Sequence, residues 1–418
     1  MSNTVPKEWQ IKTVDEVATV FAGGTPSRSN PDYYEGTIPW VKSGEVNSRL
    51  IYRTEETISE LAVKESSARW AKRGSVLVAM YGATAGKAAR LMIDATLNQA
   101  VSAINGRENT ADNWFLLYAI ENNTRELLNT VQGSGQPNLS GQLIKTLNLP
   151  IPPLPEQQKI AAILSSVDDV IEKTRAQIDK LKDLKTGMMQ ELLTKGIGHT
   201  EFKDSPVGRI PASWDVQLLH DVCERVCVGF VGTCERHYRA SGVPMIRTGN
   251  LKDGKLDLTG VRHVTDEFHK KEKKSQLKAG DLLIARHGSH GSACLVPENL
   301  GEANCLNVVI VRPSQTLAMP LFLKYVFNSG AMKASFGAKS EGSTQSVIST
   351  TEIAKTAFPI PSIAEQRQIS AALSTIDGRI ESVERKLTNS IALKKALMQD
   401  LLTGKVRVKI DQKESAVA

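Results

Sequence analysis

Residues 150–173 read PIPPLPEQQKIAAILSSVDDVIEK, and 209 residues further on, at 359–382, the chain reads PIPSIAEQRQISAALSTIDGRIES. The register holds without a gap to MMQELLT (188–194) and LMQDLLT (397–403), so that Glu156 matches Glu365, Gln157 matches Gln366, Ile160 matches Ile369, Asp168 matches Asp377 and Leu193 matches Leu402. Pro150, Pro152, Pro153 and Pro155 cannot extend a helix and make a stiff lead-in. Beyond them apolar residues alternate by four and three: Ile160, Leu164, Val167, Ile171, Thr174, Ile178, Leu181, Lys185, Met188, Leu192. The second copy repeats the pattern in phase: Ile369, Leu373, Ile376, Ile380, Val383, Leu387, Ser390, Lys394, Leu397, Leu401. This is a coiled-coil seam with a lysine in it, on helices of roughly 35–40 residues, about 55 Å long. A lone helix must bury such a stripe. The matching phase and length make the other copy its natural partner, in an antiparallel coiled coil with pseudo-twofold symmetry. Packing on its own domain alone, or dimerisation between chains, are the alternatives.

The repeat extends outward from the helices. VPKEW (5–9) pairs with IPASW (210–214), IPWVKSGEV (38–46) with VPMIRTGNL (243–251), KRGSVLVAMYG (72–82) with KAGDLLIARHG (278–288), and GSGQPNLS (133–140) with GSTQSVIS (342–349). A period of this kind outranks any local signal in deciding the fold. Each half is therefore one globular domain followed by one long helix: domain one at 1–149, helix at 150–198, linker at 199–209, domain two at 210–358, helix at 359–405, and a flexible tail at 406–418. Framework positions match while the loops between them differ, so a symmetric scaffold carries two unlike surfaces.

Within each domain an amphipathic helix is expected over Val14, Val17 and Val20, and over Leu219, Val222 and Val226. Strands are expected at Val76–Ala79 and Leu282–Ala285, each running into a glycine loop, and at Ala100–Ile104 and Val308–Val311. Helices should follow at Trp114–Leu128 and Leu321–Phe327. The class is mixed α/β or α+β, with the sheet order left open.

The net charge of +7 and the pI of about 9.0 are compatible with a polyanionic partner without requiring one. No apolar run approaches the roughly 20 residues that cross a bilayer. The first nine residues hold Pro6, Lys7 and Glu8 and no apolar core of a signal peptide, so a cytoplasmic protein with no membrane partner is expected. Five cysteines, an odd number, suit a reducing compartment better than a disulfide framework. His220, Cys223, Cys227, Cys234 and His237 are zinc-ligand types, but their spacing matches no common finger or ribbon, and no metal is expected.

No catalytic set emerges. Between Gly82 and Gly86 stand three residues rather than four, and Ala88 rather than Ser or Thr follows Lys87, so the loop is not a nucleotide-binding P-loop. Asn30-Pro31-Asp32-Tyr33 lacks the second proline of the amino-methyltransferase motif, and no glycine-rich AdoMet loop precedes it. Neither a Gly-x-Ser-x-Gly elbow nor a His-Glu-x-x-His helix occurs. What the loops do carry is chemistry suited to DNA. Gln136, Asn138, Thr344 and Gln345 sit in flexible, amide-rich segments, and amides bond bidentately to adenine edges as arginine does to guanine. Lys42 and Ser43 align with Arg247 and Thr248, Glu45 aligns with Asn250, and Arg286, His287 and His290 stand opposite Met80, Tyr81 and Thr84 or Ala85, with Lys87 closing the first copy's glycine loop as a candidate backbone contact. Such exchanges at fixed framework points suit two recognition surfaces with different targets; ordinary polar surface loops are the plainer explanation for any one residue.

This organisation resembles the specificity subunit of a type I restriction–modification system. The likeness covers nearly the whole chain and rests on the doubled LPIPPLPEQQKIA and FPIPSIAEQRQIS, the helix ends QELLT and QDLLTGK, and the domain starts around VPKEW, AGGTPS and IPWVKSGEV. AGGTPS (22–27) becomes VGFVGT (228–233) in the second half, a departure from the pattern. The resemblance implies two target-recognition domains, each reading one half of a split, asymmetric site on double-stranded DNA, with the helices as a ruler for the spacer. It implies no catalysis by this chain. Two modification subunits, methylating adenine N6 with AdoMet, and restriction subunits driven by ATP with Mg would join it, and no cofactor would bind here. Gln157, Gln158, Lys159, Gln366 and Arg367, taken as exposed flanks of the seam, are candidates for partner docking. A catalytic subunit with a degenerate motif, or a non-DNA coiled-coil scaffold with two ligand-binding modules, are the competing readings.

Overall fold

The computed structural model describes residues 5–131, 139–287, 291–340 and 347–410. Its longest elements are the helices Leu154–Thr194, of 41 residues, and Ile363–Leu401, of 39. Two compact units divide the chain, but they are not its sequential halves. One comprises Met1–Arg175 with Arg385–Ala418, the other Ala176–Glu384. Each unit thus contains one domain, part of the helix that belongs to it in sequence, and part of the other helix.

Inside each unit the two helix segments run antiparallel. In the first, Ile160 and Leu164 share a core with Met398, Leu401 and Leu402, and Lys394 Nζ lies 2.6 Å from Asp168 Oδ1. In the second, Met189 and Leu193 share a core with Ile369 and Leu373, and Lys185 Nζ lies 2.7 Å from Asp377 Oδ1. The lysine of each seam is therefore neutralised by an aspartate of the other helix. Ile160, Leu164, Ile171, Thr174 and Ile178 are buried as the spacing requires. Toward the helix C-termini burial moves from Met188 and Leu192 to Met189 and Leu193, because a straight helix drifts against a strict seven-residue repeat.

The domains are built alike. In the first, one sheet has the order Ala18–Ala22, Val101–Gly106, Val76–Ala79, Ala88–Leu91, Leu50–Ile51. A second has the order Glu56–Ile58, Ile38–Val41, Ala95–Leu97, Arg69–Ala71, with its central pair parallel. The second domain repeats this with Cys223–Val228, Val308–Pro313, Leu282–Ala285, Ala293–Leu295, and with Tyr238–Arg239, Arg262–Val264, Val243–Arg247, Asn304–Leu306, again with one parallel pair. A two-stranded ribbon in each unit, Gln10–Thr13 with Asn148–Ile151 and Asp215–Leu218 with Ala357–Ile360, ties the start of the domain to the lead-in of its helix.

Several expectations are corrected. The helix at Val14 stops at Val17: the box between Thr13 and Glu16 starts it, but Ala18 is extended and Val20 pairs with Ile104 in a strand. Its counterpart is a single 3-10 turn, Leu219–Val222, and Val226 lies in a strand opposite Val311. β-Branched residues at three-residue steps fitted a helix by spacing, and their strand propensity prevailed once a sheet edge was available. Residues 199–209 are no loose linker, since Phe202–Ser205 and Gly208–Pro211 form a hairpin. The tail begins ordered: Arg407 donates to Glu156 Oε1 and Oε2 at 2.7 and 2.9 Å and to Glu8 at 2.8 Å.

The AGGTPS-to-VGFVGT departure is a packing exchange. A Cβ on Gly23 would lie 2.1 Å from the Leu97 carbonyl oxygen, and one on Gly229 would lie 2.3 Å from Cys305 Sγ, so this glycine is kept in both copies. At the next position the copies differ: a Cβ on Gly24 would lie 2.2–2.4 Å from Ser67, and the Gly24 carbonyl accepts from Trp40 Nε1 at 3.1 Å, whereas Phe230 packs against a core that contains Met245, the residue aligned with Trp40.

Candidate nucleic-acid interface

Each domain gathers three segments at one edge. In the first they are the turn Ser43–Asn47, the glycine loop Tyr81–Lys87, and the chain returning at Leu139. Lys87 Nζ donates to Asn47 Oδ1 at 2.5 Å and the Leu139 amide donates to the Met80 carbonyl at 2.8 Å. In the second they are the turn Thr248–Asn250, the loop opening at Arg286 and His287, and the chain returning at Ile348. There the Ile348 amide donates to the Arg286 carbonyl, and Arg286 Nε donates to the Ile348 carbonyl, both at 3.1 Å. Sequence-distant candidates are thus neighbours in each copy. Gln136, Asn138, His290, Thr344 and Gln345 lie outside the described residues.

The remaining candidates separate by burial. Tyr81 is 40% exposed, Lys87 and His287 are exposed, and Ser43, Arg247, Thr248 and Arg286 are half-buried. Thr84 is buried and Asn250 is 4% exposed, so neither offers its side chain at this edge. Thr84 sits under the glycine loop, its hydroxyl directed at the Tyr81 carbonyl. Asn250 shapes its own turn: Oδ1 accepts from the Arg247 amide at 3.0 Å and Nδ2 donates to the Asp257 carbonyl at 2.9 Å. Glu45 does the same in the first copy, accepting from the amides of Lys42 and Glu55. The aligned Glu and Asn therefore fix backbone, while the cations that precede them, Lys42 and Arg247, are half-buried.

The two cations differ electrostatically. Lys42 Nζ lies 3.0 Å from both Glu55 and Glu56, and these bonds hold its pKa above the usual lysine value. Arg28 also reaches Glu56, at 2.6 Å, and stacks 4.0 Å from the Tyr34 ring centre. Arg247 lines a shallow depression of about 370 Å³ with Thr248, Gly249, His287, Leu306 and Asn307.

Gln157 and Gln366 are fully buried, and their assignment to a docking surface is withdrawn. Gln157 donates to the carbonyls of Thr110 and Pro152 and accepts from the Asp112 amide. Gln366 does likewise with Leu317, Pro361 and Met319. They latch the helix start to its domain by satisfying backbone groups that burial would otherwise leave unpaired. Gln158 and Arg367 are exposed and Lys159 is half-buried.

Among the described residues no group of three or more His, Cys, Asp or Glu side chains could hold a metal ion. Cys223 is raised to about 12 by burial, and Cys227 Sγ accepts from Arg225 Nε at 3.0 Å. No helix of the described residues is long and apolar enough to cross a membrane.

A family model described as the type I restriction modification DNA specificity domain matches residues 6–183 and again 211–393. The chain belongs to that family. Among its relatives, the type I restriction enzyme MjaVIII specificity subunit of Methanocaldococcus jannaschii is 26% identical over 413 residues, covering 97% of this chain and 94% of the relative. The EcoBI specificity subunit of Escherichia coli is 23% identical over 328 residues, covering 75% and 69%. The S subunit of a type I restriction–modification system from M. genitalium has the same fold, with a TM-score of 0.61 over 98% of both chains at 13% identity. A chain from a structural study of type I restriction–modification complex assembly gives 0.60, covering 96% of this chain and all of that one, at 17% identity. The function is DNA target recognition within a restriction–modification system, as a non-catalytic subunit that works with modification and restriction subunits.

Two pins in each unit of the specificity subunit, which sequence reasoning missed, join the long helix to its domain. Trp9 Nε1 donates to Glu156 Oε2 at 3.1 Å, and Trp214 Nε1 to Glu365 Oε2 at 2.9 Å. Each glutamate also receives the chain that leaves a long helix: Arg407 on Glu156, His199 and the Ile197 amide on Glu365. In the second pin, Tyr118 donates to Asp168 and Tyr325 to Asp377, each at 2.8 Å, beside the seam lysines. The signal was present as two acidic positions kept in both copies, Glu156 with Glu365 and Asp168 with Asp377.

Burial acts to raise the pKa of Asp377, but Lys185, Tyr325 and Lys324 outweigh it and hold the carboxyl below its ordinary 3.8. A depressed folded-state pKa gives stability that is present above 3.8 and lost as pH falls through the folded value. Asp377→Asn is therefore expected to lower the second unit's urea midpoint near neutral pH, with the gap to wild type closing below about pH 4. A gap that persists unchanged at pH 3 would show that packing, not charge, makes the difference.

Proposed function

We propose that the subunit reads a bipartite, asymmetric target, each domain contacting one half-site through its three-segment edge, with helix length setting the spacer. The observation that carries this is the recurrence of one edge geometry with different side chains: Lys42, Ser43, Tyr81 and Lys87 in one copy, Arg247, Thr248, Arg286 and His287 in the other. Phosphate contacts would supply affinity and the loops selectivity. Two modification subunits and restriction subunits would assemble on it in the cytoplasm. AdoMet, ATP and Mg would be held by those partners, and the exposed Gln158 and Arg367, with the half-buried Lys159, remain candidates for docking them.

Methylation mapping in cells that carry this chain with and without its modification subunit tests the reading. A new split motif with methyladenine on both strands, dependent on both proteins, is expected. No methylation with both proteins soluble, and no salt-sensitive DNA binding by the complex, would favour a scaffold for other ligands instead.

A further inference from the structure

We infer that Arg247 is a specificity-determining residue that reads a guanine in the half-site of the second domain, and that the first domain makes no matching contact from Lys42. This rests on the proposed reading of DNA by each domain and adds the base and the side chain. Arg247 ends the strand Val243–Arg247, paired in parallel with Asn304–Leu306 so that Arg247 stands opposite Leu306. Its amide is fixed by Asn250 at 3.0 Å, so the side chain leaves a rigid strand end rather than a free loop. The guanidinium makes no ion pair among the described residues, and its Nε is buried without a hydrogen-bond partner.

Arg247 lines a depression together with Thr248, His287, Leu306 and Asn307. That hollow is shallow and open, suited to an exposed base edge rather than to an enclosed small molecule. A planar fork of donors matches the O6 and N7 acceptors that guanine alone presents together in the major groove. At the same framework point Lys42 is a point charge held between two carboxylates at 3.0 Å, with neither the fork nor the free charge for this contact.

The test uses the complex with its modification subunits, once mapping has defined the wild-type motif. Arg247→Ala and Arg247→Lys are expected to relax one guanine position in one half-site, each losing about 10- to 100-fold discrimination there, while the other half-site keeps its sequence. Replacing that guanine by 7-deazaguanine should weaken wild-type binding and leave Arg247→Ala unaffected. Arg247→Lys keeps the charge and so decides the matter if the alanine variant fails to fold. Uniform weakening over all sequences with a salt slope reduced by about one would make Arg247 a phosphate contact and overturn the inference, as would an unchanged motif. Either result leaves the bipartite reading standing; only a wild-type complex that recognises no split motif removes both.

Discussion

Asp168→Ala is expected to destabilise the first unit by about 3–5 kcal/mol, read from urea unfolding at neutral pH, because it strips the shared acceptor from partly buried cations. Asp168 is 15% exposed and receives Tyr118 at 2.8 Å and Lys394 at 2.6 Å. Arg49 Nε lies 2.9 Å away without hydrogen-bond alignment, so that contact is electrostatic. Among the described residues Arg49 has one other carboxylate, Glu121 at 2.6 Å, and its Nη2 is already buried without a partner. Burial acts to lower the Arg49 pKa, and Glu121 and Asp168 together more than reverse it. Removing Asp168 leaves the desolvation in place with one of the compensating carboxylates gone. Tyr118→Phe, which deletes one hydrogen bond and no charge, should cost only about 1 kcal/mol. If Asp168→Ala costs no more than Tyr118→Phe, the network is not what holds domain to helix.

The architecture was legible because it is written twice. A doubled seam gave helix length, phase and antiparallel direction, and the strands Val76–Ala79 and Leu282–Ala285 stood out as apolar runs ending in glycine. The buried polar groups were harder to read. Gln157 and Gln366 carry an amide that is as much at home on a surface as in a latch, and only the carbonyls of Thr110 and Leu317, nearly fifty residues away, decide between the two. The same holds for Asn250, whose side chain suits a base edge by chemistry but is consumed by its own turn. Identity between diverged copies was the usable clue: Glu156, Gln157 and Asp168 are kept because they bind backbone and framework, whereas a difference is no such guide, since Glu45 and Asn250 differ and both fix their own turns. Lys42 and Arg247 differ too, and their differing carboxylate environments, set by Glu55 and Glu56, depend on a strand pairing that no local pattern announces.

If helix length sets the spacer, inserting seven residues into both long helices, after Arg175 and before Arg385 where the units divide, should lengthen the spacer of the methylated motif. Seven residues add about 10 Å at 1.5 Å per residue and nearly preserve the face of the seam; at about 3.4 Å per base pair this is about three base pairs. The same insertion in the first helix alone should abolish methylation rather than shift it. It would separate Asp168 from Lys185 by a further 10 Å or so while Lys394 and Asp377 kept their spacing, so the bonds Asp168–Lys394 and Lys185–Asp377 could not both form. One seam lysine and one aspartate would be stranded in a partly buried position, at a cost of several kcal/mol. A doubly extended subunit that still methylates the original motif would separate spacer choice from helix length and assign it to the domains or to the modification subunits.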